Sequence, residues 1–338
     1  MADLCRECAG LGAISILSPL KMVVPSSSSN PAIAAASHQA LANCPLCGAE
    51  LDRVGVRALP AYSRDHIMRC GNCGFHFSRL KPNSDDLERV YGNYDYVGED
   101  ASRSDLNVVK ERAIAERLSS YRSTGNVLDI AAGAGRFLEH FRALGFRCFA
   151  TEFDGRMEDY LRGKSFQVLP GGLFPQAPQD AMFDIVLFTE IIEHINIPMT
   201  VLQHIHKVLR PGGCLYITTP NFDSLERRIL RSNWGMICWP EHITYWTPRH
   251  LDRAMRQAGF RRRSMVVENI SPFRIVQALK NSGIAPLVGN VSEQDFSDRA
   301  QQRVASSRWL SGLKRAINVG LNATKLGSSI KSVYEKRA

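Results

Sequence analysis

The sequence has no apolar run long enough to cross a membrane. A membrane-spanning helix needs about 20 consecutive apolar residues, and the nearest candidate, AGLGAISILSPL at residues 9–20, is too short. This segment also lacks a basic lead-in and a small-residue cleavage site, which argues against a secretory signal peptide. With 44% hydrophobic and 22% charged residues, the composition is ordinary for a soluble globular protein.

Acidic residues are scarce at the carboxyl terminus. Residues 301–338 contain eight Lys or Arg and one Glu, so this segment carries a net charge of +7 out of +9 for the 338-residue chain. The excess is local, which argues against a general nucleic-acid coat and predicts a basic surface that faces solvent, phosphate groups or an anionic membrane. Apolar residues follow one helical stripe in this segment, namely Leu310, Leu313, Ile317 and Leu321. We expect a basic helical extension over 271–338 that packs on its own domain, contacts a membrane or mediates dimerisation, and the oligomeric state stays open.

Cysteine is not scarce, and its spacing argues against disulfide bonds. The nine cysteines include two CxxC pairs separated by 22 residues, CPLC with Cys44 and Cys47 and CGNC with Cys70 and Cys73. Two such pairs can complete a tetrahedral shell of four thiolates around zinc. The spacing therefore predicts a structural Zn²⁺ in a zinc ribbon over residues 41–80, with two disulfides as the alternative. A zinc–thiolate shell implies a reducing compartment, so we expect a cytoplasmic protein.

The segment before this ribbon has a different composition. A third CxxC pair, Cys5 and Cys8, has no obvious partner pair, and the stretch PSSSSNPAIAAASHQA that follows is of low complexity. Such a composition buries too little apolar surface to order the backbone. We expect residues 1–40 to be a mostly disordered lead.

Strands alternate with helices over the middle of the chain. A helical connector over residues 81–122 is predicted by the acidic helix start after Pro82 and by a second helix with Leu106, Val109, Ala113 and Leu118 at helical spacing. Predicted strands follow at 126–131, 147–152, 166–169, 183–189, 214–219 and 262–268, with helices at 136–145, 155–163, 198–209 and 247–260 between them. This alternation predicts an α/β domain over residues 123–270, with a doubly wound, Rossmann-like parallel sheet. Such sheets bind ligands at the carboxyl ends of their strands.

A glycine-rich turn follows the first strand of this domain. In DIAAGAGRF, Gly133 and Gly135 lie where a ligand approaches the backbone closely, but dinucleotide sites use such turns too. Two carboxylates favour another ligand. Asp129 at the end of the first strand suits a cationic group, and Glu152 at the end of the second can hold both hydroxyls of a ribose.

Four motifs together resemble the class I S-adenosylmethionine-dependent methyltransferases. They are VLDIAAGAGRF, TEFD, FDIVLFTEIIEHI and VLRPGGCLYITTPN, in the order and at the spacings of that family. The resemblance implies S-adenosyl-L-methionine as cofactor, with a binding site of Asp129, Ala131, Gly133, Gly135, Glu152 and Thr189. Ala131 stands where the family has its first glycine, so its methyl group could crowd the methionine end of the cofactor. In a subgroup with a preceding zinc ribbon, Tyr91, Tyr94 and Tyr96 would cover the cofactor, although they could equally be core residues of the connector.

The stretch FTEIIEHINIP, residues 188–198, carries three ionisable groups at the end of a predicted strand. In one helical turn, Glu190, Glu193 and His194 would share a face at i, i+3 and i+4, while the isoleucines face the core. Carboxylate and imidazole ligands suit a divalent cation such as Mg²⁺ or Mn²⁺. A cation chelated by two neighbouring hydroxyls would lower the pKa of an acceptor hydroxyl and orient its oxygen.

Two groups of relatives carry the same E-x-x-E-H string as a metal site, the small-RNA 2′-O-methyltransferases and the O-methyltransferases of ubiquinone synthesis. The RNA group adds a later histidine before an aromatic–Thr pair, which His242 in PEHITYWTPRH resembles. The resemblance implies a ligand set of Glu190, Glu193, His194 and His242. The alternatives are a metal-free site in which His194 is a general base, and a packing role for the histidine.

Together these features predict an O-methyltransferase in which His194 and Glu193 act on the acceptor hydroxyl. We expect a sugar-like, polyol or catechol-like acceptor, either a glycan or a small molecule. RNA ribose 2′-O-methylation is an alternative, weakened by the lack of an aromatic-rich single-strand platform or a recognisable RNA-binding module. A non-catalytic binding protein with the same fold is a third possibility.

Overall fold

The computed structural model describes residues 38–91, 105–176, 182–271 and 308–337. The predicted disordered lead therefore lies almost entirely outside the described residues, as do Tyr94 and Tyr96. Within the described residues, no helix is long and apolar enough to cross a membrane.

A small antiparallel sheet forms the amino-terminal part. Its elements are helix α1 (Leu51–Val54) and strands β1 (Val56–Ala58), β2 (Ile67–Cys70) and β3 (His76–Ser78). The two CxxC pairs lie at turns flanking these elements, where Gly48 and Gly74 adopt φ angles of 68° and 76°. Only a left-handed backbone lets these turns fold back, and glycine adopts it without a Cβ clash. This part has the antiparallel strands and turns that the ribbon prediction requires.

A seven-stranded sheet forms the larger part. Its strands are β4 (Asn126–Ile130), β5 (Arg147–Thr151), β6 (Gln167–Val168), β7 (Phe183–Thr189), β8 (Leu209–Pro220), β10 (Phe260–Glu268) and β11 (Ser329–Lys336). They lie in the order β10-β11-β8-β7-β4-β5-β6. The pairs from β6 to β8 are parallel, and β11 runs antiparallel to both of its neighbours. The predicted doubly wound, Rossmann-like fold is confirmed.

Helices cover both faces of this sheet. They are α2 (Ser84–Tyr91), α3 (Asp105–Leu118), α4 (Arg136–Ala143), α5 (Gly155–Gly163), α6 (Pro198–Val208), α7 (Leu225–Leu230), α8 (Pro248–Gln257) and α9 (Arg308–Thr324). Alternate strand residues meet different helices: Val186 and Phe188 share a core with α6 and α8, whereas Ile185 and Leu187 share one with α3 and α4. A strand covered on both faces must be apolar throughout, which explains the continuous run FDIVLFT.

The stripe predicted for α3 is wrong at two of its positions. Val109 is 51% exposed and Ala113 is also exposed, whereas Leu118 is buried as predicted, together with Ala115 and the partly buried Ile114. The face that packs on the sheet therefore shares only Leu118 with these predicted positions. Helical spacing alone allows several stripes on this helix, and contact with α4 and the sheet selects one of them.

The carboxyl-terminal segment also differs from its prediction. Instead of a helical extension throughout, α9 is followed by β11, which inserts between β8 and β10 in the centre of one half of the sheet. Ile330 and Tyr334 of this strand are fully buried. The alternation in SIKSVYEK is a strand pattern, so the domain predicted to end at residue 270 includes the last strand of the chain.

The ribbon and the larger domain share backbone hydrogen bonds. Strand β9 (Thr244–Tyr245), which follows β8 in the chain, pairs with β3 and becomes the fourth strand of the ribbon sheet. Ser78 N–H also donates to the carbonyl of Ile243 at 2.8 Å. The predicted ribbon is thus fused to the domain beside the segment that carries His242.

Candidate active site

The turn after β4 is shaped by three left-handed residues. Ala131, Gly133 and Gly135 have φ angles of 55°, 52° and 71°. A Cβ on Gly135 would lie 2.8 Å from Leu161 and 2.9 Å from Phe166, so that position requires glycine. Ala131 adopts the same backbone region with a side chain, at a cost of about 1–2 kcal/mol. Its N–H donates to the Thr151 hydroxyl at 3.2 Å, which helps to hold that conformation.

Glu152 closes this turn from the end of β5. Its Oε2 accepts the N–H of Gly133 at 2.8 Å, and its Oε1 accepts the N–H of Phe153 at 2.7 Å. Each carboxylate oxygen has a second lone pair, so the group can still accept both hydroxyls of a ribose. Burial raises the pKa of Glu152, and these backbone N–H groups oppose that shift. The carboxylate is therefore oriented before any ligand binds.

Asp129 lies one strand away, at 4% exposure. Burial, followed by repulsion from Glu152 and Glu111, raises its pKa well above the usual value. A positive charge beside this carboxyl group would favour its ionised form. The sulfonium and ammonium groups of S-adenosylmethionine carry such charge, and so the acidic lining fits this cofactor better than it fits a pyrophosphate.

The next strand end leads into the glutamate-rich stretch. Thr189 ends β7 and is 2% exposed. The backbone then turns sharply at Glu190, whose φ is 53° and whose N–H donates to the Thr218 carbonyl at 3.0 Å. A short 3₁₀ turn, Ile192–His194, follows. The predicted single helical turn is therefore wrong, because the left-handed residue interrupts it.

Glu193, His194 and His242 form a buried cluster at this edge. One ligand atom from each lies within 4.8 Å of the others. The two imidazole rings meet edge to face at 4.7 Å, and His194 Nε2 is 3.9 Å from Glu193 Oε1. Glu190 is not one of these three ligands, because its carboxyl group interacts with the Thr218 hydroxyl and the Glu193 carboxyl. Of the four predicted ligands, Glu193, His194 and His242 therefore form the cluster, and Glu190 lies beside it.

Backbone carbonyls orient both imidazoles. His194 Nδ1 contacts the Glu241 carbonyl at 3.0 Å, and His242 Nδ1 contacts the Met236 carbonyl at 2.8 Å. A carbonyl can only accept, so Nδ1 carries the hydrogen in each ring and Nε2 carries the lone pair. Metal-binding histidines in proteins are oriented in this way.

The surroundings of the cluster disfavour charge on Glu193 and on His194. Burial, and then Glu190, raises the pKa of Glu193 well above its usual value. Burial, and then His242, lowers the pKa of His194 well below its usual value. A neutral imidazole can bind a cation or accept a proton, whereas an imidazolium can do neither. A divalent cation would compensate the buried carboxylate.

His242 reaches this cluster through a bend that pairs with the 3₁₀ turn. Ile243 N–H donates to the Glu193 carbonyl at 2.9 Å, and the Thr244 hydroxyl donates to the Ile192 carbonyl at 2.8 Å. From β8, the Thr219 hydroxyl donates to Glu193 Oε2 at 2.9 Å. The sequence analysis missed Thr219, although its place in the strand-end motif YITTPN is a usable signal.

The four ribbon cysteines also converge. The Sγ atoms of Cys44, Cys47, Cys70 and Cys73 lie within 4.8 Å of one another. The Cys44–Cys73 and Cys47–Cys70 sulfur distances are 3.6 and 3.9 Å, close to the roughly 3.8 Å edge of a tetrahedron with zinc–sulfur bonds of about 2.3 Å. All four cysteines are unbridged, so the alternative of two disulfides is not what the structure contains.

Aromatic residues connect the two clusters. His250 Nε2 lies 3.4 Å from the Cys73 carbonyl, and the Phe75 ring packs on Trp246 at 4.7 Å. Trp246 Nε1 in turn donates to the Ile192 carbonyl at 3.3 Å. The cysteine turn is therefore linked to the backbone next to Glu193 through a short chain of side chains. Trp246 and His250 were not predicted to take part in either site.

Known proteins resemble this chain in its central part. Residues 103–264 match the family described as methyltransferase domain. A mitochondrial ubiquinone biosynthesis O-methyltransferase of Dictyostelium discoideum is 26% identical over 140 residues, covering 36% of this chain and 44% of that protein. A malonyl-[acyl-carrier protein] O-methyltransferase of Laribacter hongkongensis is 27% identical over 207 residues, covering 55% and 68% of the two chains.

The similarity to solved structures is weaker. The crystal structure of a SAM dependent methyltransferase from Archaeoglobus fulgidus covers 72% of this chain and 100% of its own, at 19% identity and a TM-score of 0.47. The chain spans about half the length, or less, of the ubiquinone-related relatives described as O-methyltransferases.

Proposed function

We infer that this chain is a class I S-adenosylmethionine-dependent methyltransferase, because the match of its central residues to a methyltransferase-domain family and its strand order support that function. We propose that it methylates a hydroxyl oxygen of a small-molecule acceptor. The relatives named O-methyltransferases support oxygen as the acceptor atom. S-adenosylmethionine supplies a methyl group on a sulfonium sulfur, which is already a good leaving group.

In this proposal the carboxyl edge of the sheet holds the cofactor. Glu152 binds the ribose hydroxyls, Asp129 faces the positively charged methionine end, and the left-handed turn with Gly133 and Gly135 allows close approach of the backbone. Thr189 lies at the adjoining strand end. The charges of the site support this arrangement. Asp129 and Glu152 are buried carboxyl groups with raised pKa values, and they line the place where the cationic cofactor would bind.

The observation that carries the chemistry is the cluster of Glu193, His194 and His242 beside this edge. Its mixed carboxylate and imidazole ligands suit a divalent cation, and the carbonyls behind both rings aim Nε2 at the shared space. A bound Mg²⁺ or Mn²⁺ would supply Lewis acidity that lowers the pKa of an acceptor hydroxyl. The protein's own contribution is to hold the acceptor oxygen in line with the methyl group and to exclude water.

A metal-free mechanism is the competing proposal for the same cluster. The lowered pKa of His194 keeps its Nε2 unprotonated, so it can accept the hydroxyl proton as a general base. A vicinal diol, as in a sugar, polyol or catechol, would favour the metal-assisted route because it can chelate. A single hydroxyl would favour the base. The E-x-x-E-H string with its later histidine resembles that of small-RNA 2′-O-methyltransferases, which makes RNA a second acceptor to be measured.

We further propose that the four cysteines bind zinc for a structural purpose. Their tetrahedral spacing leaves no ligand position for substrate. The thiolates would hold the ribbon turns, and so keep β3 paired with β9.

The decisive experiment titrates chelator-treated protein with S-adenosylhomocysteine, with and without Mg²⁺ or Mn²⁺. Wild type is compared with Glu193→Gln, which removes the charge and keeps the shape, and with Glu241→Gln as a control. We expect product-cofactor binding in all three proteins and a separate metal heat that disappears in Glu193→Gln alone. Cofactor binding without any metal heat would reject the metal and favour His194 as base. No cofactor binding would overturn the enzyme proposal.

A further inference from the structure

A cleft also lies outside the candidate active site. It has a volume of about 300 Å³ and lies between α7, α8, β10 and the turn that follows α9. Its lining residues include four cationic and two acidic ones, namely Arg228, Arg249, Arg262, Lys325, Asp223 and Asp252. None of these residues belongs to the cofactor edge or to either ligand cluster described above.

The charges in this cleft do not cancel. Arg262 lies 3.4 Å from Asp252, but that carboxylate already binds Arg256 at 2.6 Å. Arg228 and Arg249 form no ion pair with any carboxylate in the part of the chain that the structure describes. With four cations against two carboxylates, the cleft has a net positive charge. An anion inside it would gain from several convergent donors.

Lys325 is held in place in the wall of the cleft by its own turn. Lys325 adopts a left-handed φ of 59°, and its ammonium group donates to the Asn322 side chain at 3.0 Å. Asn221 Nδ2 fixes the same turn by donating to the Lys325 carbonyl at 3.0 Å. Burial, and then Arg262, lowers the pKa of Lys325. The fold thus maintains a repulsion that a bound anion would relieve.

The first turn of α8 adds to the positive potential. Pro248 and Arg249 begin this ten-residue helix and line the cleft. Thr247 caps the helix by accepting the N–H of His250 at 3.2 Å. The positive end of the helix dipole therefore acts together with the four side chains.

We propose that this cleft binds the phosphate group of a small phosphorylated polyol. The cations bind phosphate, and the Asp223 carboxylate in the wall accepts hydrogen bonds from hydroxyl groups. The volume suits a small molecule. Two carboxylates in the wall disfavour a polyanion such as RNA, which would place successive phosphates beside them. The phosphate belongs either to the methyl acceptor or to a separate effector.

The test uses ribose 5-phosphate as probe on the full chain, with ribose and inorganic phosphate as comparisons. Binding is measured by calorimetry for wild type, Arg249→Gln and Lys325→Gln. Arg253→Gln is the control, because it lies on α8 outside the cleft. We expect ribose 5-phosphate to bind more tightly than either comparison, with at least 10-fold weaker binding in the two cleft variants and unchanged binding in the control. Thermal unfolding midpoints verify that the variants fold.

Equal binding by all four proteins, or equal binding of ribose and ribose 5-phosphate, would overturn the proposal. The proposal would also be overturned if an RNA oligonucleotide displaced ribose 5-phosphate from wild type but bound less tightly to Arg249→Gln. The cleft would then bind a polymer. Two measurements separate the two sources of the phosphate. The first repeats the probe titration in the presence of S-adenosylhomocysteine. The second assays methyl transfer to pairs of phosphorylated and dephosphorylated polyols. If the phosphate belongs to the methyl acceptor, Arg249→Gln should raise KM for the phosphorylated polyol and leave KM for the dephosphorylated polyol unchanged. Probe binding requires no methyl transfer, so its result is independent of the cofactor titration.

Discussion

The two clusters of candidate metal ligands in the described part of the chain are built in opposite ways. The ribbon cluster consists of four like ligands from two local turns, Cys44–Cys47 and Cys70–Cys73. The second cluster consists of unlike ligands, Glu193 and His194 from one turn and His242 from 48 residues later. The first has the number and spacing of ligands that close a tetrahedral shell, whereas the second offers three candidate ligands, fewer than the coordination shell of a divalent cation needs. The contrast separates a cluster suited to folding from one suited to chemistry.

The two clusters also differ in how they treat charge. A hydrogen bond from Cys44, the largest contribution, lowers the pKa of Cys73 to about 5, while the same bond and then burial raise the pKa of Cys44, and burial raises that of Cys70. The ribbon cluster therefore has one thiol that ionises readily beside others that do not. At Glu193 no such partner is present, because burial and then Glu190 both raise the pKa of the carboxyl group.

The largest expected effect is on the folding role of the ribbon cluster. Cys70 is completely buried, and Cys70→Ser should release zinc and lower the free energy of unfolding by at least about 3 kcal/mol, because a structural zinc contributes folding energy directly. Zinc content and chemical denaturation measure this. Cys148→Ser, a buried cysteine outside the cluster, should change stability by about 1 kcal/mol. Equal losses in both variants would remove the distinction between the cysteines.

The second-largest expected effect is on the catalytic rate, with little change in stability. Glu193→Gln should lower kcat at least 100-fold, or about 2.7 kcal/mol, while the unfolding midpoint and S-adenosylhomocysteine affinity change little. The amide keeps the bond from the Thr219 hydroxyl but removes the negative charge. Steady-state kinetics on an identified acceptor, with Glu241→Gln as the matched control, measure this. Full activity in Glu193→Gln would reduce the cluster to a packing role.

Asp184 is a buried acid whose role is structural, in contrast to Glu193. Asp184 accepts the N–H groups of Ser123, Thr124 and Gly125 at 2.9, 3.1 and 2.7 Å, and Arg210 at 2.5 Å. Burial alone would raise its pKa, but these bonds outweigh burial and the pKa is lowered. Asp184→Asn should therefore cost about 2 kcal/mol of stability at neutral pH.

The sign of its pH dependence follows from the lowered pKa. Stabilisation by Asp184 is complete above the unfolded pKa of about 3.9 and is lost as the pH falls through the lower folded value. Denaturation curves between about pH 2 and 6 should thus fall more steeply for wild type than for Asp184→Asn. Parallel curves would mean that the carboxylate carries no net stabilising charge. Activity should be unaffected at neutral pH, in contrast to Glu193→Gln.

The smallest effect concerns the link between the clusters. Trp246→Phe keeps the packing on Phe75 but removes the N–H that donates to Ile192. We expect a loss of about 1 kcal/mol or less in stability, a fall in kcat of a few fold and unchanged zinc content. Trp309→Phe, an exposed tryptophan on α9, is the control. A large loss of zinc in Trp246→Phe would show that the clusters form one unit.

Much of the fold follows from local sequence patterns. The apolar run FDIVLFT, the glycine turn after β4 and the CxxC pairs each encode a structure within a few residues, so the strands, the cofactor turn and the ribbon turns were predictable. The stripe of α3 and the interrupted turn at Glu190 were not, because several helical faces and turn conformations are compatible with the same residues, and contacts with distant elements select among them.

The sequence by itself determined that this chain has alternating strands and helices, a glycine-rich turn after the first strand of the sheet and two CxxC pairs, since each depends on a few neighbouring residues. Only the tertiary structure decided that β11 completes the sheet, that β9 joins the ribbon, and that His242 reaches Glu193. These arrangements bring together segments far apart in the chain. Their hydrogen bonds and buried contacts exist only once the chain has closed those loops, and no local pattern specifies which distant partner a strand or a histidine will meet.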